Sequence, residues 1–158
     1  MKLDSVDYTI LTTLLQDARK PASELATETN KHLSTITRRI KTLEHEKIIK
    51  KYTAILDHEK LGLELTVVTH LILSKGKLLE TERQIASIPG VCAIYDVTGR
   101  FDAIVIAKFA SRNEFSSFIK KILTISTVER TETMVVLNTI KEDFSLGEIL
   151  EDKVIASK

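Results

Sequence analysis

The chain has 158 residues, 43% of them hydrophobic, so it is long enough for one domain or two small ones and too apolar for a disordered protein. It contains no run of eighteen apolar residues, and its first residues lack the apolar segment of a signal peptide. We therefore expect a cytoplasmic protein that does not span a membrane.

Side chains with catalytic or metal-binding potential are scattered along the sequence. The single cysteine, Cys92, can form neither an intramolecular disulfide nor a zinc site on its own, and the four histidines have no metal-ligand spacing. We find neither a nucleophile with a neighbouring base nor a phosphate-binding glycine loop. The sequence therefore predicts no metal, no cofactor and no enzymatic activity.

Positive charge is concentrated in one segment, although the net charge is only +1. Residues 31–51 carry seven Lys or Arg against two acidic residues, whereas residues 61–158 carry twelve basic and thirteen acidic ones. A local basic segment is the electrostatic pattern expected of a phosphate-binding surface. A solvated basic helix face has the same composition, so charge alone leaves both interpretations open.

Two helices are predicted ahead of that segment. Asp4 is a good N-cap, and Asp7 places a second carboxylate in the first turn of a helix that extends to about residue 17. Pro21 is tolerated in the first turn of a short second helix, which ends near Asn30. Because asparagine adopts a positive φ more readily than most residues, a sharp turn is expected there.

The third helix carries the most informative stretch, residues 30–46, with His32 as an unusual cap. Ile36, Ile40 and Leu43 recur at i, i+4 and i+7, the spacing of one buried helix face. The other side chains are short hydroxyls and basic groups, which suit base edges and phosphates in a DNA major groove. The candidate DNA-binding residues are Ser34, Thr35, Thr37, Arg38, Arg39 and Lys41. For Arg39 a structural salt bridge is the alternative, because it lies beside the apolar stripe.

Helix, helix, tight turn and helix form the outline of a helix-turn-helix unit. Residues 48–56 are rich in β-branched side chains and predict a strand beside the third helix. We therefore predict an α+β protein with a helix-turn-helix (winged-helix-like) domain at residues 1–56 and a linker at residues 57–65.

The second half alternates between strand and helix patterns, and a capping box formed by Ser111 and Glu114 opens its second helix. Strands are predicted at residues 66–74, 91–98, 103–109 and 128–140, and the first helix at residues 78–88. The order β-α-β-β-α-β is ferredoxin-like, a four-stranded antiparallel sheet with two helices on one face. We place this domain at residues 66–142, followed by a tail, residues 143–158, with a short helix and no assigned role.

Both faces of the predicted strands carry apolar side chains. In the first strand Val67 and Leu71 point to one face, and Val68 and Ile72 point to the other. Because two helices cover only one face, the other is a partner surface, most simply for a second copy of the chain. A dimer would also present two recognition helices to a DNA site with two-fold symmetry.

Two sets of motifs resemble the Lrp/AsnC (feast/famine) family of transcription regulators. The N-terminal set is Leu3-Asp4-x-x-Asp7-x-x-Ile10-Leu11, Glu24-Leu25-Ala26, Ser34-Thr35-Ile36-x-x-Arg39-Ile40-x-x-Leu43-Glu44 and Ile49. The C-terminal set is Ile88-Pro89-Gly90-Val91, Val97-Thr98-Gly99-x-Phe101-Asp102 and Val128-x-x-Thr131-x-Thr133. The resemblance covers about residues 3–142. This chain departs from the family pattern at His32, Asn30 and Lys47, which leaves its DNA sequence preference and effector open.

The resemblance implies a dimer joined through the C-terminal sheets, often assembled further into octamers, with an amino-acid effector bound between dimers near the Gly-x-Phe-Asp turn. The implied effector-binding residues are Thr98, Gly99, Arg100, Phe101, Asp102, Thr131 and Thr133. The chemistry suits an amino acid, since a carboxylate such as Asp102 attracts an ammonium group and a glycine turn exposes N–H groups to a carboxylate. The alternatives are an aspartate that caps its own turn, threonines that serve as strand formers, and a solvated Arg100.

The function expected is a sequence-specific transcription regulator that binds double-stranded promoter DNA, at a palindromic site, and responds to an amino acid. An alternative of a different class is an enzyme, because some proteins that resemble this family are sirohaem decarboxylases. Such an enzyme needs no basic recognition helix, and the basic segment argues against it. A third reading is an adaptor that binds family members through its sheet without contacting DNA.

Overall fold

The computed structural model describes residues 2–74 and 76–156, which form two compact units. The first unit contains the residues up to 55 together with those from 141 onward, and the second contains residues 56–140. The helices are α1 (Ser5–Gln16), α2 (Ala22–Glu28), α3 (Leu33–His45), α4 (Leu78–Ala86), α5 (Arg112–Leu123) and α6 (Gly147–Ala156). The strands are β1 (Leu65–Leu73), β2 (Val91–Asp96), β3 (Ala103–Phe109) and β4 (Val128–Val135).

The start of α1 is fixed by a reciprocal capping box. The Asp7 amide donates to the Asp4 carboxylate at 3.0 Å, and the Asp4 amide donates to the Asp7 carboxylate at 3.1 Å. The box satisfies backbone donors that the first turn of a helix leaves without partners. The N-cap predicted at Asp4 is confirmed.

The turn between α2 and α3 is built around Asn30, whose φ of +51° confirms the predicted left-handed conformation. The next amide, that of Lys31, donates to the Ala26 carbonyl at 2.9 Å, which closes the end of α2. His32 is the N-cap of α3 and makes no side-chain capping bond, in agreement with its atypical character.

The three N-terminal helices pack around one small core. Its fully buried side chains are those of Ile10, Leu25, Ile36 and Leu43, which come from all three helices. Each such side chain contributes roughly 1.5–3 kcal/mol through removal of apolar surface from water. The buried face of α3 is therefore the one that the apolar spacing predicted, and the helix-turn-helix arrangement is confirmed.

The second unit is a four-stranded antiparallel sheet in the order β2-β3-β1-β4, with α4 and α5 packed against it. This is the predicted ferredoxin-like topology. Val67, Leu71, Val105 and Ala107 are fully buried on the helix-covered face. Cross-strand pairs such as Val67 with Ala107 and Thr69 with Val105 fix the register and hence the face on which every other strand residue lies.

Two local predictions are corrected by the structure, and the short helix predicted in the tail is confirmed. Residues 48–56 form no strand with any described part of the chain, because a strand requires a neighbouring strand and none lies beside them; Ile55 is 87% exposed. The strand β4 ends at Val135, five residues before the predicted end. The C-terminal helix α6 packs against α1, where Gln16 donates to Glu151 at 3.2 Å, so the tail belongs to the first unit.

Candidate DNA interface and effector hairpin

The face of α3 opposite its buried stripe forms a shallow open groove. The groove is lined by Ser34, Thr37, Arg38, Lys41, Thr42 and His45. Each of these positions has another three or four residues away, so together they form a continuous stripe along the whole helix. Four of the six predicted DNA-binding residues therefore lie together, and Thr42 and His45 extend the stripe by one turn.

Two cations dominate this groove. Arg38 and Lys41 are exposed, and neither side chain forms an ion pair with any residue among 2–74 and 76–156. Cations held in water on an exposed helix are available to phosphate, because no internal carboxylate has to be displaced first. The hydroxyls of Ser34 and Thr37 lie on the same face and can reach base edges or phosphates.

Arg39 lies on a different side of α3 and forms a salt bridge within the protein. Its guanidinium donates to Asp7 at 2.7 Å and to Asp4 at 2.9 Å, so it joins α3 to the capping box of α1. Asp7 is 3% exposed, and this buried carboxylate is neutralised by Arg39. The structure therefore shows the salt bridge that was the alternative for Arg39, whose charge stabilises the three-helix core; contact of Arg39 with DNA stays a prediction. Thr35 is half-buried and lies beside the groove without lining it.

The protonation of this triad follows from its contacts. The hydrogen bond to Asp7 raises the pKa of Arg39 further above its usual range, against the opposing effect of burial. Burial acts to raise the pKa of Asp4, but hydrogen bonds from the Asp7 amide and from Arg39 outweigh it and lower that pKa. Both groups are thus held in their charged forms.

The hairpin between β2 and β3, residues 97–102, carries most of the predicted effector-binding residues. Gly99 has a φ of +121°, and a side chain at its position would meet nothing within 4 Å, so the turn is exposed. Within the described residues, no group accepts a hydrogen bond from the N–H of Thr98, Gly99 or Arg100. The turn therefore presents donors to solvent, as a site for a carboxylate requires.

Asp102 is bonded to its own sheet. Its carboxylate accepts a hydrogen bond from the Leu73 amide at 2.8 Å, and its amide donates to the Leu71 carbonyl at 2.9 Å. The carboxylate thus extends the contact between β1 and the start of β3, while the hairpin itself is closed by the Val97 amide, which donates to the Asp102 carbonyl at 3.0 Å. The donor belongs to β1 and not to the hairpin turn, so Asp102 does not cap its own turn, and its role as an effector ligand stays a prediction.

Arg100 and Phe101 meet two residues that the sequence analysis did not connect with them. The Phe101 ring lies 4.6 Å from the His70 ring, and the Arg100 guanidinium lies 5.2 Å above the Phe101 ring. The Arg100 guanidinium is also 4.0 Å from the Glu132 carboxylate. His70 and Glu132 are cross-strand partners on the sheet face that the helices leave open.

Thr131 and Thr133 lie on the opposite face of the sheet from this cluster. Thr131 pairs with Leu71 and Thr133 with Thr69, both on the helix-covered face, and the Thr133 hydroxyl is 3.0 Å from that of Thr69. Their grouping with Arg100 and Phe101 in one set of side chains is therefore corrected. The two threonines are half-buried sheet residues with a partner of their own.

The open face of the sheet carries half-buried apolar side chains in its centre and exposed ones at its edges. Ile104 and Ile106 of β3 lie beside Val68 of β1, and Met134 at the outer edge is 49% exposed. Neither α4 nor α5 covers them, because both helices pack on the other face. A contiguous apolar surface of this kind is typical of an interface.

Comparisons with known proteins agree on both units. Residues 3–44 match the AsnC-type helix-turn-helix domain, and residues 66–146 match the Lrp/AsnC ligand binding domain. An uncharacterised HTH-type transcriptional regulator of Pyrococcus furiosus is 43% identical over 146 residues, which cover 92% of this chain and 99% of that protein. The HTH-type transcriptional regulator FL11 of Pyrococcus horikoshii is 35% identical over 144 residues, covering 91% and 95% of the two chains.

Solved structures match this chain over most of its length. A transcriptional regulator of Neisseria meningitidis in complex with L-Met matches with a TM-score of 0.82 and 28% identity, covering 94% of this chain and 99% of that one. Escherichia coli AsnC matches with a TM-score of 0.82 and 26% identity, covering 92% and 99%. In the part of the chain that the structure describes, no helix has the length and apolar character needed to cross a bilayer.

Proposed function

This chain belongs to the Lrp/AsnC family of transcriptional regulators, and we propose that it binds a specific double-stranded DNA site through the groove face of α3 and responds to an amino acid. The observation that carries the DNA part is the continuous stripe of hydroxyl and cationic side chains on α3. Its two exposed cations, Arg38 and Lys41, contact phosphate, and the hydroxyls of Ser34 and Thr37 lie nearest the bases.

The DNA partner is a palindromic promoter site, read by two copies of α3. A single α3 covers only a few base pairs, so the pairing of two chains supplies the affinity that one helix lacks. The open apolar face of the sheet, with Val68, Ile104 and Ile106, is the surface through which we propose that the chains pair. Higher assembly, such as an octamer, would use further surfaces of the same unit.

The effector is an amino acid bound at hairpin 97–102. The exposed N–H groups of Thr98, Gly99 and Arg100 support a carboxylate site there. The Neisseria regulator, of the same fold, was solved with L-Met, which supports an amino acid as the class of ligand. Such an effector changes DNA binding only through a difference in its affinity for two states of the protein.

The DNA assignment is tested by replacing Arg38 and Lys41 together with alanine. Selection from a pool of random duplexes supplies the DNA site, and fluorescence anisotropy at several salt concentrations measures affinity. We expect binding to weaken by about ten- to a hundredfold, and the dependence of log K on log salt to become shallower by about 0.9 for each phosphate contact removed.

The matched control replaces Lys120 and Lys121, two exposed lysines near the end of α5, with alanine. That variant loses the same net charge but keeps the groove, so its DNA affinity and salt dependence should stay close to those of the original chain. Equal losses in the two variants would mean that binding depends on overall charge and that the α3 assignment is wrong.

A further inference from the structure

A carboxylate occupies an apolar position on α4. Leu78, Glu82 and Ile85 recur at i, i+4 and i+7, so they share the helix stripe that packs against the sheet. Ile85 is fully buried and Glu82 is only 8% exposed. The Glu82 Oε1 atom is shielded from solvent and has no hydrogen-bond partner among residues 2–74 and 76–156. Buried carboxylate oxygens in folded proteins almost always have a donor, so one without a donor requires an explanation.

A second carboxylate lies on the same side of the sheet. Asp96, the last residue of β2, pairs with Ala103, which is fully buried on the helix-covered face, and α4 packs directly on β2. Burial raises the pKa of Glu82, and the negative charge of Asp96 raises it further. The buried Glu82 carboxylate and the exposed Asp96 carboxylate therefore lie on the same side of the sheet, and neither forms an ion pair among residues 2–74 and 76–156. The exposed glutamate of the same helix, Glu80, instead has the Lys77 ammonium 3.9 Å away.

This carboxylate pair adjoins the effector hairpin. Asp96 directly precedes residues 97–102, whose exposed N–H groups suit a carboxylate. The acid that the family motif offers to an ammonium group, Asp102, already accepts a hydrogen bond from the Leu73 amide. Asp102 keeps its charge but is fixed against β1, so an ammonium group at the turn would gain a further counter-charge from acids beside the hairpin.

We propose that Glu82 and Asp96 bind the ammonium group of the amino-acid effector while the turn at Gly99 receives its carboxylate. This inference rests on the proposed amino-acid response and assigns the positive end of the ligand to α4 and β2. An ammonium group supplies three donors, which satisfies the orphaned Glu82 oxygen and removes the repulsion between the two carboxylates. A divalent metal fits less well, because calcium takes six to eight oxygen ligands and the described residues offer no third acidic or imidazole group here.

The test uses the full chain and isothermal titration calorimetry. A thermal-shift screen of the twenty amino acids, L-methionine among them, first identifies the one that stabilises the original chain most. Its affinity is then measured for Glu82→Gln and Asp96→Asn, with Glu80→Gln as the matched control from the exposed side of α4. We expect at least tenfold weaker binding for the first two variants and no change for the control.

A second arm replaces the amino group of the ligand. The 2-hydroxy acid with the same side chain keeps the carboxylate but lacks the ammonium group. It should bind the original chain at least tenfold more weakly than the amino acid does, and that ratio should shrink in Glu82→Gln, because the charge that distinguishes the two ligands is gone.

Three outcomes would overturn the inference, and they are separable. If Glu82→Gln and Asp96→Asn both bind the amino acid as tightly as the original chain does, the carboxylate pair is not the ammonium site, and the proposed amino-acid response stands. If no amino acid binds the original chain, the response and the inference both fail. If Glu82→Gln changes the mass measured by light scattering while leaving amino-acid affinity intact, the pair belongs to a contact between copies instead.

Discussion

The groove face of α3 and the hairpin at residues 97–102 differ in how far their polar groups are already engaged. On α3, Arg38 and Lys41 extend into solvent without an internal ion pair among the described residues. On the hairpin, Asp102 is bonded to the end of β1, and Arg100 lies over Phe101 near Glu132. The cations of the first region are therefore available to a partner without breaking an internal contact. In the second region, Arg100 and Asp102 already contact other residues of the sheet.

A motif residue can therefore contact a ligand or stabilise the fold, and the motif alone does not tell which. Helix periodicity alone distinguishes Arg38 from Arg39, because consecutive helix positions point about 100° apart, one to the groove and the other to α1. In a hairpin the chain reverses within a few residues, so spacing does not reveal which side chains are free. A motif match at Asp102 therefore identifies a place in the fold more securely than it identifies a ligand contact.

The largest effect on stability is expected from Arg39→Ala. Removing the guanidinium leaves Asp7, which is 3% exposed, as a buried charge without its cation. Because Arg39 itself is partly exposed, we expect a loss of about 2 kcal/mol in the free energy of unfolding, below the usual cost for a fully buried pair. Urea denaturation followed by circular dichroism measures it.

The neighbouring Arg38→Ala is the control for that change. It should leave the urea midpoint unaltered and weaken DNA binding, whereas Arg39→Ala should do the reverse at temperatures where the variant is folded. If Arg39→Ala were as stable as the original chain and lost DNA affinity, the structural role assigned to Arg39 would be wrong. Arg39 would then be a DNA-contacting residue, like Arg38.

A smaller loss is expected from Asp102→Ala. The Leu73 amide would lose its acceptor at the end of β1, an inner strand of the sheet, at a cost of about 1 kcal/mol in the free energy of unfolding. Asp102→Asn keeps an acceptor oxygen and should recover most of that loss in the same urea experiment. A fully stable Asp102→Ala variant that no longer responds to the amino acid would show instead that Asp102 is a ligand contact, as the motif implied.

Most of the fold follows from the sequence because its elements are strongly periodic. The stripe at Ile36, Ile40 and Leu43 fixes the buried face of α3, and the alternation in β1 and β3 fixes a sheet with one covered face. The strand expected at residues 48–56 was wrong because β propensity supplies no partner strand. The packing of α6 against α1 was not predictable, since nothing in the sequence of the tail specifies which surface it covers.

The α3 groove could be predicted from the sequence, whereas the Glu82 and Asp96 pair could not, because spacing along one element is readable and packing between elements is not. The groove residues share one short helix, so their mutual positions follow from sequence spacing. Glu82 and Asp96 come from different elements, and only the packing of α4 on β2 brings them to the same side of the sheet. One signal was available in the sequence: Glu82 falls between Leu78 and Ile85 on an apolar stripe, where a carboxylate is out of place.

The smallest expected effects concern pH, and they have opposite signs in the two units. Burial disfavours the charged form of Asp4, but hydrogen bonds from the Asp7 amide and from Arg39 outweigh it, so the folded-state pKa of Asp4 lies below its unfolded value. Its contribution to stability is present at neutral pH and is lost as the pH falls below about 4. The pKa of Glu82 is raised by burial and by Asp96, so this residue destabilises the fold progressively as the pH rises above about 4.

Hydrogen exchange measured by mass spectrometry on peptides from α1 and α4 reads the two units separately. Because each variant is compared with the original chain at the same pH, intrinsic exchange rates cancel. Asp4→Asn should reduce protection of α1 at pH 7, and the difference from the original chain should shrink as the pH falls below about 4. Glu82→Gln should increase protection of α4 at pH 7 and leave it unchanged at pH 3. Reduced protection of α4 in that variant at pH 7 would mean that the Glu82 carboxylate already has a cation in the folded chain, which would remove the reason for assigning it to an ammonium ligand.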